Sequence, residues 1–201
     1  MRGQEAESCD VLSVGISGSD ALPLVTISGQ AGSGTSTLVE GLCDAKGWEY
    51  LNGGMIFRSE AERRGMKLSA FAELCREDLE VDKRLDEELK RHMLKQDGPQ
   101  VVESRLAGWW AYQLELPVKR VWLEVSIEER SRRVVQREGG DLEFRKQEIL
   151  ARESEDLHRF QELYQLDPAD KTPYTDIVDA DELSAEEVLS AVLKIIEEVS
   201  D

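Results

Sequence analysis

The segment Gly29-Gln-Ala-Gly-Ser-Gly-Thr-Ser-Thr37 constrains the fold of this chain more than any other. It follows Leu24-Val25-Thr26-Ile27-Ser28, a β-rich run that reads as a strand. It leads into Thr35–Lys46, where Leu38, Leu42 and Ala45 recur at helical spacing. A glycine-rich turn between strand and helix lets main-chain N–H groups face phosphate oxygens, and the helix start adds the positive end of its dipole. Gly29, Gln30, Ala31, Gly32, Ser33, Gly34, Thr35, Ser36 and Thr37 are therefore the expected seat of a nucleoside triphosphate, with Ser36 where a hydroxyl ligand for magnesium belongs. The competing reading is an ordinary glycine turn capped by Ser36. One position departs from the GxxxxGK[ST] pattern: Thr35 stands where lysine would reach the β- and γ-phosphates. Either arginines elsewhere supply that charge, or the site binds without turnover.

The rest of the chain alternates strands and helices. Strands are expected at Trp48–Leu51, Val101–Glu103, Val121–Val125 and Asp176–Asp179. Between them, 54–94 is charged and helix-friendly, broken into three helices by Gly65 and Lys67-Leu68-Ser69. Ser126 with Glu129, and Ser184 with Glu187, have capping-box spacing at the starts of two further helices; Gly139-Gly140 ends the first, and 141–165 is helical. This alternation predicts an α/β fold with a parallel sheet and crossover helices on both faces. Residues 1–21 lack periodicity and read as a flexible N-terminal extension, with one domain over 22–201.

Composition narrows the partners. With 42 acidic against 25 basic side chains, the formal charge is −17, a field that repels nucleic acid and anionic membrane. An anion site must then be built from local cations and backbone amides. Cys9, Cys43 and Cys75 are widely spaced, which fits free thiols in a reducing cytosol. No apolar run has the length of a membrane span or the flanks of a secretion signal. His92 and His158 lack a ligand spacing.

Phosphoryl transfer needs positive charge on the migrating group, and arginine's planar fork binds phosphate oxygens in pairs. Arg58 and Arg105 each lie just beyond an expected strand, where ligands of open α/β sheets gather. Arg133 and Arg137 are one helical turn apart, and Arg152, Asp156 and Arg159 share one helical stripe, whereas Arg130 and Arg132 read as surface. Glu103, ending a strand, either serves the magnesium ion or pairs with Arg105. Trp109-Trp110 with Tyr112 reads as core packing rather than a base-stacking surface, and Asp82 and Asp86 as a solvated face rather than readers of a base edge.

Taken together, Gly29–Thr37, Gly54-Met-Ile-Phe-Arg58, Arg64-Gly-Met-Lys-Leu-Ser69, Glu103-Ser-Arg-Leu-Ala-Gly-Trp109, Arg152-Glu-Ser-Glu155 with Arg159, and Tyr164-Gln-Leu-Asp167 with Tyr174 resemble the archaeal type of cytidylate kinase, from about Leu24 onward. The resemblance implies a P-loop nucleoside-monophosphate-kinase fold with a five-stranded parallel sheet, a helical acceptor-binding insert over 53–94 and a lid over 138–161. It implies ATP-dependent phosphorylation of CMP or dCMP with magnesium, for which Ser36 and, in one of its two readings, Glu103 are the candidate ligands; a cytoplasmic monomer is expected. Arg58, Gly54, Arg105 and Asp156 would bind the acceptor; Arg105, Arg133, Arg137, Arg152 and Arg159 would act on the phosphates. Asn52-Gly53, Met55, Leu79 and Phe160 depart from the family pattern on the acceptor side. A kinase for AMP, UMP or a non-nucleotide acceptor, and an inactive nucleotide-binding regulator, are the alternatives.

Overall fold

The computed structural model describes residues 25–198, so the expected extension at 1–21 and Cys9 lie outside the described residues. Five parallel strands run β1 (Val25–Gly29), β2 (Tyr50–Asn52), β3 (Val101–Glu103), β4 (Lys119–Glu124) and β5 (Asp176–Asp179), in the spatial order β2-β3-β1-β4-β5. β1 lies at the centre with every residue buried. Val25, Thr26 and Ile27 are β-branched, and even the polar Thr26 and Ser28 are fully buried, as in a strand covered on both faces.

The crossovers are α1 (Thr35–Lys46), α2 (Gly53–Arg63), α3 (Leu68–Glu77), α4 (Leu79–Met93), α5 (Ala107–Gln113), α6 (Ile127–Glu138), α7 (Leu142–Tyr164) and α8 (Ala185–Glu197). On one face, Leu38, Val39 and Leu42 of α1 and Val188 and Val192 of α8 pack on Val25, Ile27 and Val121. On the other, Ala107, Trp110 and Ala111 of α5 join Leu89 and Met93 of α4 and Phe160 of α7. The helices α2, α3 and α4 add a small core of their own around Ala61, Phe71, Cys75 and Val81.

Several sequence expectations come out in whole or in part. The 54–94 stretch is three helices, but Gly65 (φ 64) and Lys67-Leu68-Ser69 mark only the first break; the second is at Asp78, whose side chain caps α4. Trp110 is buried, with the Lys90 amino group 3.9 Å from its ring centroid, and the half-buried Trp109 packs against the same core, but Tyr112 is exposed, so the core expectation holds for the two tryptophans alone. Ser184 and Glu187 form both halves of their box. The other box is only half formed. Ser126 Oγ accepts from the Glu129 N–H, but the Ser126 N–H donates to Asp181 Oδ1 at 2.6 Å and the Glu129 carboxylate pairs with Arg132 and Arg133 at 3.0 Å. A charged pair outcompetes the reciprocal cap. Trp48 and Glu49 precede β2, and α5 adds a helix where none was expected, because its seven residues are too short to show a period. Among the described residues, no helix is long and apolar enough to cross a membrane.

Candidate active site

The loop leaves β1 and enters α1 through Gly32 (φ 83) and Gly34 (φ 96), left-handed positions that favour glycine. Gly34 is the N-cap and offers no side-chain cap, so the first amides of α1 are left for a ligand. Three guanidinium groups hold the loop by its carbonyls. Arg105 Nη1 donates to Gly29 O at 2.8 Å, Arg130 Nη1 to Ala31 O at 3.0 Å, and Arg133 Nη1 to Ser33 O at 2.9 Å. In a trans peptide the N–H that follows points the opposite way, so the amides of Gln30, Gly32 and Gly34 face away from these cations. Ser28 ties the strand ends together, its Oγ donating to Ser104 O at 2.8 Å and accepting from the Gly108 N–H.

Next to the loop lies a cavity of about 590 Å³, bounded by the carboxyl ends of β2 and β3 and by α2, α4 and α7. This is where ligands of open parallel sheets bind. Gly29–Gly32, Thr35, Ser36, Gly54, Arg58, Glu103, Arg105, Arg137, Arg152 and Arg159 all line it. Arg58 and Arg152 are exposed and have no ion pair or hydrogen bond among the described residues. Arg137 pairs with its neighbour Glu138, Nε to Oε1 at 3.1 Å. Arg105 and Arg159 share Asp156, at 3.0 and 2.9 Å. A Cβ at Gly54 would come within 3.2 Å of Arg58 Nη1, so glycine keeps that side chain free to move.

The space left by the missing lysine is used. Thr35 Oγ1 donates to Glu103 Oε1 at 3.0 Å. Glu103 does not pair with Arg105, which turns to Asp156 instead. Burial raises the Glu103 carboxyl above its ordinary range, while the Thr35 hydrogen bond and the charges of Arg105 and Arg152 pull it back.

Arg133 stands apart from the other expected phosphate ligands. It lines a second cavity of about 460 Å³ behind the loop, with Gly34, Thr37, Leu38, Leu123 and Val188, and Arg137 reaches both cavities. Its guanidinium also donates to Ala180 O and pairs with Glu129.

Two expectations are overturned. Arg130 was expected at the surface and is 3% exposed, bonded to Val125 O at 3.1 Å, to Ala31 O and to Glu153. Asp82 and Asp86 were expected on a solvated face. Asp82 is buried, with Oδ2 3.2 Å from Arg159 Nε, and Asp86 lines the cavity with its Oδ2 accepting from the Tyr164 hydroxyl at 2.8 Å. In both cases the signal was the stripe. Arg130 recurs with Ile127, Ser131 and Val134, and the two acids with Leu85 and Leu89, at spacings of three and four residues. Arg132 is exposed as expected.

Comparison with known proteins settles the family. A profile described as AAA domain matches residues 28–150. A cytidylate kinase of Halobacterium salinarum is 41% identical over 151 residues, covering 75% of this chain and 77% of that one. A cytidylate kinase of Haloarcula marismortui is 37% identical over 177 residues, covering 88% and 91%. The chain belongs to the archaeal cytidylate kinases. Beyond these cytidylate kinases, solved structures share the fold at low identity. A gluconokinase from Sinorhizobium meliloti superposes with a TM-score of 0.57 at 18% identity over 89% of this chain and 94% of its own. A shikimate kinase from Bacteroides thetaiotaomicron gives 0.53 at 16% over 88% and 99%. What separates this cytidylate-kinase-family chain from a bare phosphate loop is its second wall, the helices α2 and α4 across the cavity from Gly29–Ser36.

Proposed function

We propose that this chain transfers the γ-phosphoryl group of ATP to CMP or dCMP, giving CDP or dCDP. The observation that carries the reading is the cavity itself, where guanidinium groups from α2, the turn after β3, α6 and α7 line one space between the phosphate loop and α4. A nucleotide sensor needs the loop alone; a kinase needs a second chamber that clamps an acceptor.

In this reading the triphosphate lies on the amides of Gly29–Thr37 and the donor nucleoside occupies the cavity beside Leu38, Arg133 and Val188. The acceptor phosphate meets Arg58 and Arg105 beside Gly54, with Asp156 orienting Arg105 and Arg159. Residues 53–94 serve as the acceptor-binding insert and 138–161 as the lid that brings Arg137, Arg152 and Arg159 onto the migrating group and excludes water. An acceptor phosphate oxygen attacks the γ-phosphorus in line, the bond to the β-phosphate oxygen breaks, and ADP leaves. No covalent enzyme intermediate is needed. The guanidinium groups take the part that lysine has where Thr35 stands here.

Magnesium suits the donors at hand. The Ser36 hydroxyl and the Glu103 carboxylate are hard oxygen donors on one cavity wall. Among the described residues no group of three or more His, Cys, Asp or Glu forms a cage, the usual pattern for an ion held mostly by phosphates and water. When bound, the ion would neutralise charge on the β- and γ-oxygens. The protein would act as a cytoplasmic monomer on small nucleotides.

The test is ADP release with CMP, dCMP, UMP and AMP as acceptors, together with ATP binding by calorimetry. CMP and dCMP should be the best acceptors. Arg105→Ala should lower kcat by about 100-fold or more while ATP still binds. Binding of ATP with no transfer to any monophosphate would favour the inactive regulator.

A further inference from the structure

A cavity that must admit an anion is expected to avoid acidic groups, yet Asp82 and Asp86 line its α4 side. Their environments differ. The Asp82 carboxylate forms an ion pair with Arg159, Oδ2 to Nε at 3.2 Å, without hydrogen-bond geometry. Asp86 forms no ion pair within 4 Å among the described residues, and its single hydrogen bond comes from the Tyr164 hydroxyl to Oδ2 at 2.8 Å. Oδ1 is left as an open acceptor on a residue that lines the cavity. The neighbouring lining is apolar: Leu85 and Leu89 from the same helix, Ile56 from α2 and Phe160 from α7. Ile56, Leu89 and Phe160 belong to one apolar cluster with Leu85 packed against it, so Asp86 stands on a hydrophobic part of the cavity wall. Burial raises the Asp86 carboxyl to about 6, the mark of a group short of donors.

We propose that Asp86, oriented by the Tyr164 hydroxyl, accepts a hydrogen bond from the exocyclic amino group of the acceptor base and thereby selects cytosine over uracil. The assignment rests on reading this cavity as the acceptor site. Cytosine presents an amino donor at its 4-position and uracil a carbonyl oxygen there. With uracil bound, two acceptors face each other beside an apolar wall and neither finds a donor, which costs far more than a missing contact. Asp82 is held by the charge of Arg159, whereas no cation lies within 4 Å of Asp86 among the described residues, so Asp86 is the acid free of an ion pair. Tyr164 is a positioning residue. By donating to Oδ2 it fixes which oxygen remains free.

That geometry makes the isosteric change informative. In Asp86→Asn the Tyr164 hydroxyl still needs an acceptor and holds the amide oxygen, so the amide NH2 turns to the cavity. A donor now faces the base, which matches uracil. The experiment measures kcat/KM for CMP and UMP with the full-length wild type, Asp86→Asn and Tyr164→Phe, each checked for a cooperative thermal melt. Asp86→Asn should lower the CMP-to-UMP ratio about tenfold or more, and Tyr164→Phe should lower it less, by freeing the carboxylate to rotate. A ratio within about twofold of wild type in folded Asp86→Asn overturns the assignment, including the case where both acceptors weaken together as a purely structural role requires. Because both acceptors share the phosphate clamp, any disturbance of Arg159 cancels in the ratio. A wild type that transfers to neither acceptor sinks the kinase reading along with this one; an active wild type with an unmoved ratio sinks this one alone.

Discussion

Arg130 and Arg132 sit on one helix two positions apart and do opposite things. Arg132 lies in solvent against Glu129, an arrangement of small energetic consequence. Arg130 is buried and binds Ala31 O, Val125 O and Glu153, so α6, the phosphate loop and α7 meet at one guanidinium. Arg105 and Arg133 bind loop carbonyls as well, so part of the arginine content holds the loop in shape. The same division applies to the acids: Glu103 fills the gap at Thr35, and Asp86 faces the cavity. Asp86 has a consequence for stability. Its carboxyl stands at about 6 in the fold against an ordinary 3.8, chiefly from burial, with Tyr164 opposing. Between those values the native state binds more protons than the unfolded chain, so this group's contribution to stability falls as pH rises from about 4 to about 6. Chemical denaturation at pH 4.5 and pH 7.5 should therefore show Asp86→Asn gaining on the wild type by roughly 1–3 kcal/mol at the higher pH.

Elements were legible where their signals are local. α1 was placed to the residue by its apolar spacing and by Gly47, which ends it in a left-handed cap at φ 68. The box at Ser184 was equally plain, as was the break at Gly65, whereas the break at Asp78 carries no glycine or proline to show it. The box at Ser126 failed because Glu129 is claimed by arginines at three and four residues' spacing, a competition that a cap motif read by itself does not show. α5 was missed altogether, yet it seats the aromatic core and presents Gly108 to the loop before β5. A Cβ at Gly108 would overlap the Tyr174 ring, which itself packs on Trp122 at 5.0 Å between centroids. Gly108→Ala should lower stability by about 1–3 kcal/mol, read as a shift of the denaturant midpoint with an unchanged slope.

For the molecule as a whole, the formal charge of −17 opposes compaction. Many of the ion pairs join side chains three or four residues apart on one helix, such as Arg63 and Arg64 with Glu60, and do little to offset repulsion between elements. Raising KCl from about 0.05 M to about 1 M should screen that repulsion and raise the melting temperature by a few degrees, with each kcal/mol recovered worth about 2–4 °C. The same charge explains why the anion site is lined by arginines and amides rather than served by the field of the whole protein.

By itself the sequence determined the β-loop-α start, the alternation that makes the sheet parallel, and the candidate cations, because each is written in residues close together along the chain: glycines that turn, β-branched runs, helical stripes. Only the tertiary structure decided which charged side chain meets which partner. Arg105 reaches Gly29 across 76 positions, Arg130 reaches Ala31 across 99, and Tyr164 reaches Asp86 across 78. A charge buried at such a distance is stabilised by partners that folding alone brings to it, so its role as strut, clamp or reader of a base is fixed by the packing of whole elements.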